Sequence, residues 1–201
     1  MNCPNLQKSL AFCDGLPQYP GIRRRIYYIA KSQIVSYPQL PRDTNGVPTS
    51  AVLVGDFTLK ADVVFKYIDI NVDKSQVTSE AQGEVPSQTQ LNKATFVHNG
   101  IGAEAAEAPI FANNSDNVYI FQDMAGNYRV LGNERWATKS TVAQDNGQGT
   151  NPASTTIEVE VTDEIVAPFY KGVIATEDGD IDCSGEAADD DEEEEEDDNN
   201  H

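Results

Sequence analysis

Alternation of apolar and polar side chains predicts strands on both sides of a short helical stretch in the middle of the chain. Thr89–Val97 has the composition of a strand, and Ala103–Ala108 is rich in Ala and Glu, which favour a helix. Val118–Phe121 and Tyr128–Leu131 flank the turn Asp123-Met124-Ala125-Gly126 and therefore predict a hairpin. Together these segments predict an antiparallel body that carries one small helix on its surface.

Further segments of the chain also carry strand patterns. Ile22–Ala30 is dominated by β-forming residues, and Gln33–Tyr37 is expected to continue the same strand. Val52–Val72 is the longest β-rich segment, but its alternation shifts phase near Val64, which predicts a bulge or bend there. Thr155–Val161 alternates polar or acidic residues with Ile and Val, as a half-buried antiparallel strand requires.

Polar and turn-forming segments predict a sheet edge and long loops. Lys74–Glu84 has few apolar residues and is expected to be an exposed edge strand or hairpin arm. Tyr37–Ser50 and Ala143–Ser154 are rich in turn residues and predict two long loops, which are usually functional or mobile. Pro109 is expected to limit the helix that begins at Ala103 to about two turns, and this helix should cover an open sheet edge.

The pattern as a whole indicates a mainly β fold. We expect an antiparallel β-sandwich or barrel with one short flanking helix, long loops and a disordered acidic C-terminal tail. The domain division that follows is an irregular N-terminal arm at 1–21, a β-sandwich or barrel domain at 22–184, and the disordered tail at 185–201. A body of this size buries enough surface to fold without a disulfide or a metal.

The formal charge of −19 is unevenly distributed along the 201 residues. Eleven acidic side chains lie between Glu186 and His201, and a block of like charges stays solvated. The rest of the chain carries a formal charge of −8, so it lacks the surplus of Lys and Arg needed to coat nucleic acid. An acidic surface is still compatible with DNA that moves past it without being bound, because such a surface repels phosphate. The one basic cluster is expected to form ion pairs or a subunit contact, and it comprises Arg23, Arg24 and Arg25.

No residue pattern predicts catalysis, a metal site or a cofactor. His98 has no nucleophile motif near it and is expected to be a turn or packing residue. The acidic run Glu177–Asp182 lacks the ligand spacing of a calcium loop. The three cysteines indicate free thiols, although a bridge between Cys3 and Cys13 stays open as an alternative. We expect no membrane association, because no apolar run approaches the length of a membrane span.

The order of segments resembles the tail tube family of tailed bacteriophages over residues 20–175. The resemblance rests on Gly21–Ile29 (GIRRRIYYI), Thr95–Gly100 (TFVHNG) with the Ala/Glu helix after it, and Val118–Gly132 (VYIFQDMAGNYRVLG). It implies a β-sandwich or barrel with a flanking helix that stacks as rings, expected to be hexameric, around a DNA channel. The inner tube of type VI secretion systems is similar. The family has no diagnostic catalytic residues, so the resemblance implies a structural virion protein and no enzyme.

On this interpretation the partners are further copies of the chain, other tail or virion proteins, and DNA in non-specific passage. The protein is expected in the virion, assembled in the host cytoplasm. The alternatives are another virion component, such as a capsid decoration or head–tail connector, or a non-viral β-sandwich binding module. The candidate subunit-interface residues are Arg23, Arg24, Arg25, Asn45, Lys74, Gln76, Thr78, Glu80, Gln82, Glu84, Asp145 and Asn151.

Overall fold

The computed structural model describes residues 8–11, 14–15 and 17–184. Within these ranges the chain is mainly β, with one α-helix. The strands are β1 (Ile22–Ala30), β2 (Ile34–Ser36), β3 (Thr58–Leu59), β4 (Lys66–Asp69), β5 (Gln76–Gln82), β6 (Thr89–Asn99), β7 (Asn117–Asp123), β8 (Tyr128–Leu131), β9 (Thr138–Asp145), β10 (Ser154–Asp163), β11 (Phe169–Tyr170), β12 (Val173–Thr176) and β13 (Gly179–Asp182); helix α1 is Ala103–Ala112. The predicted mainly β fold with one short helix is confirmed.

Two antiparallel sheets pack face to face as a sandwich. The larger sheet has the strand order β11-β8-β7-β1-β4, and the smaller has the order β5-β6-β10-β9. Between them lies a core of apolar side chains such as Ile26, Phe96, Phe121 and Val159. This core forms because each sheet turns one apolar face inward, which removes those side chains from water.

The larger sheet is covered on its second face as well. The two faces of β7 alternate between the cores: Tyr119 and Phe121 lie in the sandwich, whereas Val118 and Ile120 lie in a second apolar cluster. That second cluster is closed by the β12–β13 hairpin, the small β2–β3 sheet and the loop before Thr58. The nearly unbroken apolar run of β7 follows from burial on both faces.

Among the described residues, the smaller sheet is covered on one face only. In β10, Ile157, Val159 and Val161 are buried, and the intervening Glu158 and Glu160 are exposed. The alternation predicted for Thr155–Val161 is therefore present in the fold, as is the hairpin formed by β7 and β8. One side of this sheet presents polar side chains to solvent, and this exposed side is called the polar face below.

One expectation about strand continuity was wrong, and a second was correct only in part. Gln33–Tyr37 does not extend β1, because a 3₁₀ turn at Lys31–Gln33 ends the strand and sends the chain into β2 of a different sheet. Val52–Val72 does not form one bulged strand, but the bend predicted near Val64 is present: β3 and β4 are separated by a turn in which Asp62 has a φ of 60°. That left-handed residue redirects the chain, so the change of phase near Val64 marks a change of sheet.

Helix α1 continues past Pro109 to Ala112, so proline does not end it as expected. Pro109 lacks the N–H that would bond within the helix, and its ring crowds the carbonyl four residues earlier, so the last turn needs other support. Packing holds the last turn in place: Ala112 is fully buried, and the Phe111 ring stacks on Tyr28 with centroids 5.2 Å apart.

The predicted arm at 1–21 contains no helix or strand in its described portions, residues 8–11, 14–15 and 17–21. The predicted disordered tail at 185–201 lies outside the described residues, as do Cys3 and Cys13. Cys183 is described, and it is a buried free thiol in the second apolar cluster.

Candidate assembly surfaces

One edge of the smaller sheet is closed by residues that follow helix α1. The backbone N–H of Val142 donates to Oδ1 of Asn113 at 2.7 Å, and the N–H of Thr138 donates to Oδ1 of Asp116 at 2.8 Å. Both N–H groups belong to β9 and point away from β10. Because side-chain oxygens already occupy them, this edge offers few free donors to another strand.

The opposite edge, formed by β5, has no such cover. In the described part of the chain, β6 is the only strand that pairs with β5. The Val97 N–H of β6 points towards the β5 side, where it donates to Oγ of Ser75 at 2.9 Å. The direction of the backbone N–H alternates along a strand, so the β5 residues whose backbone N–H and C=O groups point towards β6 are Gln76, Thr78, Glu80 and Gln82. The backbone groups of the residues between them therefore point outward, and these are Val77, Ser79 and Ala81.

The candidate residues of β5 share the polar face. Gln76 is opposite Thr95, and Thr78 is opposite Lys93. The same β6 residues are opposite Glu158 and Glu160 of β10, so all these side chains project to one side. The four β5 candidates on this face are Gln76, Thr78, Glu80 and Gln82.

The lysines on the polar face lie beside glutamates. Lys93 forms an ion pair with Glu80 at 2.5 Å, and the hydrogen bond from this pair, with the charge of Glu160 nearby, raises the pKa of Lys93. Lys139 of β9 is directly opposite Glu160 in the register. Each lysine on these strands therefore lies beside a glutamate, which leaves little free positive charge to hold a phosphate.

The remaining loop candidates lie at opposite ends of the smaller sheet. Asp145 ends β9 and Asn151 lies in the loop before β10, close to the end at which Asn99 is opposite Ser154. Lys74 precedes β5 at this same end. Glu84 lies at the other end, in the exposed tip of the β5–β6 hairpin, where its carbonyl accepts from the Ser87 N–H at 2.8 Å.

Asn45 lies in a turn of the loop between β2 and β3. Its backbone N–H donates to Oδ1 of Asp43 at 2.9 Å, and the N–H of Val47 donates to the same oxygen at 2.8 Å. The Val47 bond is the main reason why the pKa of Asp43 is lowered. Arg42 anchors this loop to Glu164, which follows β10 at the end of the sheet near the hairpin tip. The loop candidates therefore divide between the two ends of the sandwich.

The arginine cluster divides into one paired and two unpaired side chains. Arg25 donates to Asp69 at 2.9 Å and to Asp178 at 3.0 Å, and its guanidinium lies 3.8 Å from the centre of the Tyr67 ring. Arg23 and Arg24 are exposed and contact no acceptor among the described residues. The three arginines line an open groove of about 560 Å³, called the arginine groove, together with Tyr27, Val72, Gln122, Met124 and Tyr128.

A cleft that the sequence reasoning missed lies between Trp136 and the end of β10. It has a volume of about 350 Å³. Asp163 is buried there, and its carboxylate accepts from Nδ2 of Asn133 at 3.0 Å and from the Glu164 N–H at 2.7 Å. Burial raises the pKa of Asp163 despite these bonds. Glu164 in turn forms ion pairs with Arg42 and Arg135.

The signal for this cleft was present in the sequence as Asn133-Glu134-Arg135-Trp136 and Asp163-Glu164, two polar turns after strands. Neither turn alone indicates that the two turns meet.

His98 is held by a contact with the backbone: its Nδ1 atom lies 2.7 Å from the carbonyl oxygen of Asp69. In residues 17–184 and the short described stretches before them, no three His, Cys, Asp or Glu side chains are arranged to hold a metal ion.

The acidic run Glu177–Asp182 has a structural role in the larger sheet. It forms the turn and second strand of the β12–β13 hairpin. Glu177 pairs with Lys66, and Asp178 pairs with Arg25, so two of its carboxylates attach the hairpin to β4 and β1.

None of the helical segments described is long and apolar enough to cross a membrane.

The chain was compared with protein-family models, with curated proteins and with solved structures, and it matches none of them.

Proposed function

We propose that this chain is a structural subunit of a virion, and specifically a tail tube subunit that stacks as rings around a DNA channel. The observation that carries the proposal is the difference between the two edges of the smaller sheet. Side chains after α1 close the β9 edge, whereas β5 presents outward backbone groups at Val77, Ser79 and Ala81. An open polar edge is a template for pairing with a neighbouring copy.

Such pairing supports a ring because the two contacting surfaces of a subunit would differ. A contact between β5 of one copy and another surface of the next is heterologous, and heterologous contacts close into rings when the rotation permits. In the proposed tube, the loop candidates at the two ends of the sandwich would contact the rings above and below, and they include Glu84 at one end and Asp145 at the other. The hexameric count comes from the sequence resemblance.

The polar face suits a channel through which DNA passes. If the β5 edge of each copy packs against a different surface of the next copy around a ring, the polar faces of the smaller sheets line one side of the ring wall. Lys93 and Lys139 each have Glu160 as a neighbour, so this wall would not retain a phosphate backbone. In this role the partners are further copies of the chain, other tail or virion proteins, and DNA in passage. Assembly takes place in the host cytoplasm.

Electron microscopy of the purified full chain, combined with sedimentation velocity, tests the proposal. We expect rings or short tubes about 100 Å wide, from six domains of this size packed around a channel. Sedimentation should show a monomer and one discrete larger species, with the larger species favoured at higher protein concentration. A chain that stays monomeric at every concentration and forms no rings would contradict the proposal and favour a binding module instead.

A further inference from the structure

The arginine groove combines unpaired positive charge with a strongly acidic chain. Arg23 and Arg24 are exposed and have no acceptor among the described residues, whereas Arg25 already has Asp69 and Asp178. The chain as a whole carries a formal charge of −19, so two exposed arginines with no acidic partner among the described residues contrast with its overall charge. Guanidinium groups bind carboxylates well because their N–H donors match the carboxylate oxygens.

The chain leaves the described structure next to this groove. Cys183 lies in the same apolar cluster as Tyr27, and Tyr128 packs against that cluster. Both tyrosines also line the arginine groove. The N–H of Cys183 donates to the carbonyl of Gly172 at 2.9 Å, which fixes the place from which the following residues depart.

The residues that follow have the complementary chemistry and sufficient length. Residues 189–198 are ten consecutive carboxylates. The 14 residues from Gly185 to Asp198 can extend over about 50 Å at most, which exceeds the diameter of roughly 30 Å of a small domain. A tethered segment reaches a nearby site at high effective concentration, so even weak ion pairs produce a populated contact.

We infer that the acidic segment 189–198 docks in the arginine groove of its own chain, with its carboxylates on Arg23 and Arg24. The contact is electrostatic and exposed to solvent, so it is weak per pair and sensitive to salt. It covers two of the arginines assigned above to a subunit contact. If the proposed function is correct, a neighbouring copy that contacts these arginines must displace the acidic segment. The docking itself does not rest on the proposed function.

Arginine modification by phenylglyoxal, read by peptide mass spectrometry, tests the docking on the full chain. The comparison is with a full-length variant in which every Asp and Glu of 189–198 is replaced by Asn or Gln. We expect Arg23 and Arg24 to react about fivefold more slowly in the unsubstituted chain, because two exposed ion pairs protect modestly. Arg42 and Arg135, which both bind Glu164, are internal controls and should react equally in the two chains.

The dependence on salt and on protein concentration shows whether the groove is occupied by the acidic segment of the same chain or by that of another copy. Measurements use fractions that sediment as monomers, so ring formation or its failure does not affect the result. Raising sodium chloride from about 0.05 to 0.5 M should abolish the protection, since the Debye length falls severalfold. Protection that does not change with protein concentration supports docking within one chain. Equal reactivity in the two chains, or protection that grows with concentration, would overturn the inference.

A charge-reversal variant gives an independent measurement. Arg23→Glu with Arg24→Glu should release the acidic segment, and the hydrodynamic radius of the monomer should rise. The matched control is Lys60→Glu with Lys171→Glu, two exposed lysines to which no side-chain contact within the described residues is assigned. It changes the net charge equally, so an equal rise in radius in the control would show that general repulsion, not docking, sets the compactness.

Discussion

The Val142 N–H donates to Oδ1 of Asn113 at 2.7 Å, which joins the end of helix α1 to the edge strand β9. This bond makes the helix a cover for the sheet edge, as the sequence pattern led us to expect. The same chain segment supplies Asp116, whose carboxylate binds both the Thr138 N–H and the Lys31 ammonium. A few side chains therefore decide which edge of the smaller sheet stays available.

Replacing Asn113 by alanine should destabilise the protein and open the β9 edge. We expect a loss of about 1 kcal/mol in the free energy of unfolding, the usual net value of one hydrogen bond. Urea unfolding monitored by circular dichroism measures it. Asn114→Ala is the matched control, because Asn114 is the exposed neighbour and no contact of its side chain is described. Equal losses in the two variants would show that helix propensity, not the edge contact, accounts for the effect.

Removing one outward backbone donor from β5 should prevent ring formation. Ala81→Pro deletes an N–H that points away from β6, and proline is tolerated on a strand edge when its nitrogen faces solvent. The monomer should therefore keep its melting temperature within a few degrees while rings disappear from electron micrographs.

The control for this experiment is Ala81→Thr, which keeps the N–H at the same exposed position and has a β-forming side chain. It should assemble like the unsubstituted chain. If Ala81→Pro forms rings of normal size and abundance, the β5 edge is not a subunit contact, and the polar wall proposed for the channel loses its support.

The parts of the fold that were predicted correctly depend on local patterns. The Ile and Val alternation of Thr155–Val161 reports one buried face, and the Asp123–Gly126 turn joins two apolar runs at hairpin spacing. Lys74–Glu84 was predicted to lie at an edge because it has little to bury, and β5 is an edge strand. These signals are contained within about ten residues, so one sequence suffices to read them.

The parts that were missed depend on contacts between distant segments. Nothing local in Val52–Val72 indicates that Asp62 adopts a left-handed conformation and that the chain changes sheet there. The Asp163 cleft requires a turn near Asn133 to meet a turn 30 residues later. Likewise, which arginine of the cluster is paired depends on Asp178 in the β12–β13 hairpin, far along the chain from Arg25.

Asp163 should make the stability of the protein depend on pH. Burial raises its pKa in the folded state, so the proton is bound more tightly in the folded chain than in the unfolded one. Protonated Asp163 therefore stabilises the fold fully at pH values below its pKa in the unfolded chain. This stabilisation is lost as the pH rises through its pKa in the folded chain. Asp163→Asn removes this loss, so the stability of the variant relative to the unsubstituted chain should improve between acid and neutral pH.

Urea unfolding at about pH 3.5 and pH 6.5 measures this difference. Asp73→Asn is the control, because it makes the same chemical change at an exposed residue in the turn before β5. The control should show no comparable improvement between the two pH values. If the Asp163→Asn variant loses the same stability at both pH values, the bonds of Asp163 to Asn133 and Glu164, rather than its ionisation, determine its contribution to stability.

Cys183 should be unreactive in the folded chain. Burial in the second apolar cluster, with the charges of Asp182 and Asp56 as smaller causes, raises the pKa of its thiol to about 12. Only the thiolate is nucleophilic, so near pH 8 alkylation should be about a thousandfold slower than for an ordinary exposed thiol. The measurement uses the full chain with Cys3→Ser and Cys13→Ser, treated with iodoacetamide with and without urea.

The control moves the thiol to the exposed tip of the β5–β6 hairpin, by Cys183→Ser with Ser87→Cys. This variant should be alkylated rapidly without urea. Rapid alkylation of Cys183 in the folded chain would mean that the β12–β13 hairpin opens readily, and with it the ion pair of Asp178 with Arg25 that borders the arginine groove.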